Sequence, residues 1–434
     1  MFTTTASQIS TPINITMKIL ILGGNSTSQA LAKHLTNCVS VEHVYHIGSY
    51  DTAINTEAYT HILIDKAGTF QDARKRILET VETINVDLII PTTLNYQLWT
   101  SFRDIIKEKN VPTLIHSKEA AMAEWSKVVG KSILTDANIP TPSYQTYIRD
   151  ELFEKFEVIP RPFVLKYDQD WRAGLQTVIV TDDNWHAELE YLKSKPGIKK
   201  HTPIFGEEVQ SFIVEEFVQG KIEFSYHALV NDTGWEFLGA ARDYKKRFEN
   251  DKGYNTVGLG AYSRNSVPDI VHEYMDRLVQ TFKHRNLDCK GFFYLGVQEG
   301  VDGIIRVLEI NMRPGCPEFA TILPTLAHDL GTQLYQTATN QPISKTTFNT
   351  LSAVSLRCIN KNYDLSRRKD WIYPNLINIP TDINVYYPED WWLLNALLVT
   401  TGGSTKEAAD KIHNYLNTVY LGDYTYRTDI GYLE

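Results

Sequence analysis

The chain has 434 residues, 43% hydrophobic and 22% charged, enough for about three domains with full cores and incompatible with a disulfide-stapled miniprotein or a disordered tail. Asp and Glu number 52 against 43 Lys and Arg, a net charge of −9, so the molecule repels polyanions as a whole; no basic stripe marks a nucleic-acid surface. The four cysteines (Cys38, Cys289, Cys316, Cys358) form no CxxC pair, which removes zinc knuckles and redox dithiols and fits a reducing cytosol.

Residues 1–16 lack the basic start and apolar core of a secretory signal and read as a polar leader, with Met17 as an alternative start. No run of about 18 apolar residues follows, so no membrane span is expected and the protein is placed in the cytoplasm. Lys18–Gly24 (KILILGG) is an apolar run closed by glycines, and Ser28–Leu35 has helical spacing. Val44–Ile47, His61–Ile64 and Asp87–Pro91 are strands, and Thr69–Ile84 is an amphipathic helix. This alternation predicts a parallel sheet covered on both faces. Asn25 and Ser28 stand where the second and third glycines of GxGxxG belong, so a nicotinamide-dependent dehydrogenase is a weak alternative.

Ser117–Ala137 has helical spacing and carries Lys127 and the triplet Gly130-Lys131-Ser132. The triplet is not a P-loop, because Trp125 occupies the place of the leading glycine and no strand feeds it. Ile139–Pro142 breaks the helix. Phe163–Tyr167 is a strand with Lys166 near its end, and Thr177–Thr181 is another. Phe212–Val218 (FIVEEFV) is a strand with Glu215 and Glu216 in an otherwise buried run. Glu223–Leu229, Trp235–Ala241, Gly291–Val297 and Ile304–Asn311 are strands joined by short turns, with a helix at Asp269–Arg285, which reads as an antiparallel half. A helix runs from Pro324 to about Ala338, and an αβ unit closes the chain.

The most informative segment is Leu308–Gly315 (LEINMRPG). On a strand, Glu309, Asn311 and Arg313 share one face, and a carboxylate, a carboxamide and a guanidinium together suit a nucleotide-bound Mg²⁺ and a phosphoryl group. Gln298, on the preceding strand, is a further candidate ligand. Asp243-Tyr244-Lys245-Lys246-Arg247, followed by the glycine-bearing Asn255–Ser263, is either an anion-gripping loop or a solvated hairpin.

In this order the motifs resemble those of the ATP-grasp ligases, and within them the phosphoribosylamine–glycine ligase family. Asn255–Ser263 is similar to the family's NTGGMGAYS, Glu309–Glu318 to EFNxRFGDPE, Gly291–Gly296 to GFLYAG, Ile213–Gly220 to IEEFLDG, and Tyr426–Gly431 to YRxDIG. The resemblance spans nearly the whole chain from Met17. It implies an α/β fold, α+β in its ATP-grasp part, with a parallel-sheet domain over 17–117, an ATP-grasp domain over 118–340 (lid about 139–214) and a C-terminal αβ domain over 341–434.

The resemblance also implies an ATP- and Mg²⁺- (or Mn²⁺-) dependent ligase that phosphorylates a carboxylate and lets an amine attack the acyl phosphate. Lys127 and Lys166 would hold ATP phosphates, Glu215, Glu216, Phe217 and Val218 the adenine edge, and Glu223 the ribose. Glu309 and Asn311, with Gln298, would bind the metal, Arg313 the phosphoryl group, and Asp243 with Lys245 would serve the amine. The implied partners are small molecules, glycine and phosphoribosylamine in purine biosynthesis, and the expected state is a monomer or homodimer.

The family's GNGGREHAL is here Gly23–Leu31 (GGNSTSQAL), its GPEAPL is Pro91–Tyr96 (PTTLNY), its AAGKG is Arg172–Gln176 (RAGLQ), and the aspartate of GDPE is Cys316. The AAGKG loop is the one that covers phosphate, but on the whole ATP-side residues are kept more faithfully than amine-side ones. These changes keep open a ligase redirected to another amine, and a non-catalytic nucleotide-binding subunit stands as the alternative of a different class.

Overall fold

A computed structural model describes residues 16–48, 56–63, 70–168, 177–194, 211–362, 373–388 and 395–432; the leader up to residue 15 and the Arg172–Gln176 loop lie outside them. Met17–Leu22 pairs in parallel with Val41–Gly48 on one side and Leu88–Pro91 on the other, and Tyr59–Leu63 completes a four-stranded sheet. A strand covered on both faces needs an unbroken apolar run, as in MKILIL. Helix Ser26–Leu35 starts where the Asn25 side chain accepts the Ser28 N–H (2.9 Å), and it packs Leu31 and Leu35, one turn apart, against Ile19 and Ile21. On the other face Leu20 and Leu22 meet Val81 and Phe102 from helices Phe70–Thr83 and Thr100–Lys109.

The strand order changes direction between Met17–Leu22 and Leu88–Pro91, and open α/β sheets bind ligands at the carboxyl edge of such a switch point. Gly23 and Thr92 meet there. Gly23 has φ +150°, and a Cβ on it would lie 2.1 Å from Thr92 Oγ1, so only glycine lets the two strand ends close.

Tyr144–Ile148, Ser211–Glu216, Phe163–Tyr167 and Thr177–Val180 form a second, antiparallel sheet with its own core around Phe156, Phe163, Leu165 and Phe212. The third sheet has nine strands. It runs from Ile305–Asn311 through Gly291–Gly300, Gly220–Asn231, Gly234–Asp243 and Gly260–Arg264 to Ser352–Asn360, Ala396–Gly402 and Asn384–Tyr386, with Tyr424–Thr425 beside Ser352–Asn360. The last strands of the chain thus extend the sheet that carries Asp243 and Glu309. Among the described residues no helix is long and apolar enough to cross a membrane.

One segment departs from its sequence pattern. The helical spacing over Ser117–Ala137 is split into Lys118–Trp125 and Lys127–Asp136 by Ser126, which is extended. Its hydroxyl donates to buried Asp168 (3.0 Å) and accepts from Val129 N–H (3.3 Å), so a side-chain cap outcompetes a continuous ladder and restarts the helix at Lys127. The basic run after Asp243 forms a hairpin: Lys246–Phe248 pairs with Lys252–Asn255, and buried Arg247 donates to Lys361 O (3.3 Å).

Candidate active site

The broken helix pair and both antiparallel sheets meet at a narrow cleft. Helix Lys118–Trp125 contributes Glu124, helix Lys127–Asp136 contributes Lys127 and Lys131, strand Phe163–Tyr167 contributes Lys166, strand Ser211–Glu216 contributes Glu215, and strand Ile305–Asn311 contributes Glu309 and Asn311. Lys127 and Lys131 reach the same cleft because they lie one turn apart on one helix face.

Each cation has a carboxylate partner. Lys127 Nζ lies 3.4 Å from Glu309 Oε2, and Arg313 Nε donates to Glu124 Oε1 at 2.8 Å. Glu215, 2% exposed, bridges Lys166 (2.8 Å) and Lys131 (3.1 Å). Lys245 is ion-paired with Glu223. Burial alone pushes the Glu309 carboxyl up, but Lys127, Lys245 and Lys166 outweigh it and hold the group well below the usual carboxylate range. Glu309 is therefore an anion at neutral pH, and the buried Nδ2 end of the Asn311 carboxamide has no partner. Nδ2 is a donor and binds no cation; the ionised Glu309 oxygens and Asn311 Oδ1, which Arg313 Nη2 approaches only to 3.5 Å, are the hard oxygen donors that Mg²⁺ takes, so these residues fit the metal.

Lys131 is pushed down to about 7, first by burial and then by Lys166, against the pull of Glu215. Its folded value lies below its unfolded one, so between about pH 7 and the ordinary lysine range the unfolded chain binds more protons and this group makes stability rise with pH. Lys131→Met is expected to flatten that rise, read as melting temperature against pH for variant and wild type; parallel curves would refute it.

A second group of acids comprises Asp243 and Glu318, which interact with each other, and Glu318 also feels the charge of Arg313. Asp243 ends its strand with Oδ1 buried and unpartnered, and Glu318 Oε2 is likewise buried and unpartnered. Burial, then Glu318, pushes the Asp243 carboxyl well up, with Lys245 opposing. Arg357, 1% exposed, donates to Gly258 O (3.0 Å), to Asn395 Oδ1 (2.8 Å) and weakly to Cys316 Sγ (3.7 Å). The turn through Gly315 and Cys316 reaches the switch point of the parallel sheet, where Thr27 Oγ1 donates to Gly315 O (2.8 Å) and Ser26 Oγ lies 3.2 Å from Cys316 Sγ.

A family model described as phosphoribosylglycinamide synthetase, ATP-grasp (A) domain, matches residues 125–319. The phosphoribosylamine–glycine ligase of Streptococcus suis is 27% identical over 452 residues, 96% of this chain and 99% of its own. That of Allochromatium vinosum is 30% identical over 324 residues, 72% of each chain. The chain belongs to the phosphoribosylamine–glycine ligase family. Among solved structures, the phosphoribosylamine–glycine ligase of Thermotoga maritima shares the fold with a TM-score of 0.73 at 22% identity, covering 95% of this chain and 99% of that one. The biotin carboxylase domain of Hydrogenobacter thermophilus 2-oxoglutarate carboxylase, crystallised with MgADP, ADP and bicarbonate, gives 0.67 at 13% identity, covering 95% and 92%.

The expected α/β class with an ATP-grasp part is the observed one, and the chain is an ATP- and Mg²⁺-dependent ligase of the ATP-grasp type. Of the residues singled out in the sequence, the fold gathers Lys127, Lys166, Glu215, Glu309 and Asn311 at one cleft, with Arg313 held at its rim by Glu124. Gln298 is not brought to Glu309: it pairs in register with Glu223, and its amide lies over Gly220, where a Cβ would sit 2.0 Å from Nε2. Glu216 is spent on Ser143, whose N–H it accepts at 3.1 Å, and Phe217 is exposed.

Sequence reasoning passed over Lys131, Glu124, Asp168 and Glu318. The only signal for Lys131 is the Gly130-Lys131-Ser132 triplet, set aside as a failed P-loop; its glycine serves helix packing, since a Cβ there would lie 2.5 Å from Ala123 O. Glu124 and Asp168 carry no motif and matter only through the partners that folding brings to them. In this chain's first loop, the helix N-terminus is closed by its own residues: Ser26, Thr27 and Ser28 are fully buried.

Proposed function

We propose that this ligase couples the carboxylate of glycine, or of another small amino acid, to an amine, with phosphoribosylamine as the acceptor its relatives' names supply, and that it does so in the cytoplasm as a step of purine biosynthesis. The observation that carries the reading is the set of exchangeable ion pairs. Lys127 sits on Glu309 and Lys166 on Glu215, so a nucleotide polyphosphate can take over the lysines; Glu309 and Asn311 would then be free to hold Mg²⁺ while Glu215 keeps Lys131, and no buried charge would be left uncompensated. When bound, the metal neutralises charge on the transferring phosphoryl group.

In this reading Glu215 to Val218 border the adenine and Glu223 accepts from the ribose. Arg313, aimed by Glu124, stabilises the charge that develops as the phosphoryl group passes to the amino-acid carboxylate. The acceptor nitrogen then attacks the acyl carbon, phosphate leaves, and the amine's proton goes to Asp243. A carboxyl raised by burial is the better base near neutral pH, and Lys245 beside it steadies the anion before transfer. Asp243→Asn is expected to lower kcat by about 10²- to 10⁴-fold with little change in KM for ATP, measured by coupled ADP release. Equal kcat would remove Asp243 from this role.

A second reading, the same chemistry on a different amine, is favoured by the closed first loop. Asn25 caps its own helix and Ser26 to Ser28 are buried against Gly23 and the Gly315–Cys316 turn, which leaves few free donors for a phosphate. The test is ADP release from ATP and Mg²⁺ with each amino acid, with and without freshly generated phosphoribosylamine, products identified by mass. Glycinamide ribonucleotide supports the first reading. ADP that depends on an amino acid and ignores phosphoribosylamine supports the second, and no ADP under any condition overturns both.

A further inference from the structure

We propose that His227 is a positioning residue: as the Nδ1–H tautomer it fixes the Met312–Cys316 turn and, through that turn, the guanidinium of Arg313. The assignment rests on the ligase reading of the cleft. His227 lies mid-strand in Gly220–Asn231, fully buried, opposite Gly239 on one neighbouring strand and Tyr294 on the other. Its ring stacks on Tyr294 with centroids 5.0 Å apart and planes at 18°. Tyr294 in turn pairs in register with Asn311, so the imidazole backs the strand end that carries the candidate metal site.

The decisive contact is Gly315 N–H to His227 Nε2, 3.0 Å. A backbone N–H only donates, so Nε2 holds a lone pair and the hydrogen of the neutral ring is on Nδ1. Burial, reinforced by Arg313, keeps the ring neutral by lowering its pKa to about 3, so the contact persists at working pH. Nδ1 has no partner in its buried surroundings. A phenylalanine would fill much the same space without an orphaned donor, so the histidine is explained by what Nε2 does, not by packing. The turn also approaches the ring as bare backbone: a Cβ on Gly315 would lie 2.6 Å from Nε2.

The turn is pinned at three places. Glu124 accepts from Met312 N–H (2.7 Å) and Arg313 Nε (2.8 Å), His227 accepts from Gly315 N–H, and Gly315 O accepts from Thr27 Oγ1 (2.8 Å). Arg313 lies between the first two. Without the His227 contact the turn is free to shift at Gly315, and a displacement of about 1 Å at a phosphoryl-stabilising group costs about 10²-fold in rate.

Two variants separate positioning from packing. His227→Phe keeps an aromatic ring against Tyr294 and loses the acceptor; His227→Gln loses the ring and keeps an acceptor oxygen at the end of the side chain. Expected for Phe is a kcat lower by about 10²-fold with KM for ATP within about threefold and a melting temperature within a few degrees of wild type, the orphaned Gly315 N–H being offset by removal of the unpartnered Nδ1–H, and for Gln a recovery to within about tenfold of wild type. Nitrogen-15 spectra of histidine-labelled wild type should show one non-titrating neutral ring with an unprotonated Nε2. Full activity in the Phe variant, or an Nε2–H tautomer, would overturn the assignment. Absence of ADP from the wild-type protein would count against the ligase reading instead, and the tautomer would still decide His227.

Discussion

Glu309→Gln is expected to lower Mg²⁺-dependent ADP formation by at least about 10³-fold while the protein melts within a few degrees of wild type. The carboxylate is ionised because Lys127, Lys245 and Lys166 outweigh its burial, and glutamine keeps its shape without its charge. Without that charge a divalent cation would lose the anionic ligand of the proposed metal site, whereas Lys127 and Lys166 gain attraction for phosphate. Metal-free ATP should therefore bind at least as tightly to the variant as to wild type. Loss of turnover together with retained nucleotide binding is the signature of a metal ligand; unchanged turnover would remove Glu309 from the metal site, and loss of both would make it structural.

Glu215→Gln should cost about 3–5 kcal/mol of stability at neutral pH, read from urea midpoints, because it leaves buried Lys131 and Lys166 without their shared counter-charge. Breaking a buried pair is expensive in a way that replacing it is not. Adding Lys131→Met to the same chain should recover part of the loss, a coupling that a double-mutant cycle measures. The penalty should also shrink as pH rises toward about 7: without Glu215 the Lys131 pKa falls below its wild-type value, so the variant sheds that proton first, and above that range Lys131 is neutral in both proteins. A Glu215→Gln protein as stable as wild type would mean that Glu215 is not the hub of this cluster. The variant should bind ATP weakly as well, since Lys166 is aimed by Glu215 and only loosely by Leu308 O, 3.5 Å away.

Much of the architecture was legible because it follows from local pattern. MKILIL and LIIP are apolar without alternation and so belong inside a covered parallel sheet; Asn25 caps its helix; Glu309 and Asn311 share a strand face by the period of two. Where local pattern competes with a distant partner it misleads. The helix break at Ser126 depends on Asp168, 42 positions away, and Gln298 drifts from Glu309 because the register shifts between Gly296 and Val297. A bulge of that kind changes which residues are neighbours without leaving a trace in the alternation of either strand.

By itself the sequence determined the class of fold, the strand face that carries Glu309 and Asn311, and, by resemblance, the ligase chemistry, because these are written in short spans whose periodicity and motifs hold wherever they are placed. Only the tertiary structure decided which charges meet: that Glu215 serves Lys131 and Lys166 rather than showing its side chain to a nucleotide, that Glu124 aims Arg313, and that His227 holds Gly315. The physical reason is that ion pairing and desolvation act through space. A carboxylate acquires its partner, its ionisation and its role from groups that folding brings within a few ångströms, and no spacing along the chain records them.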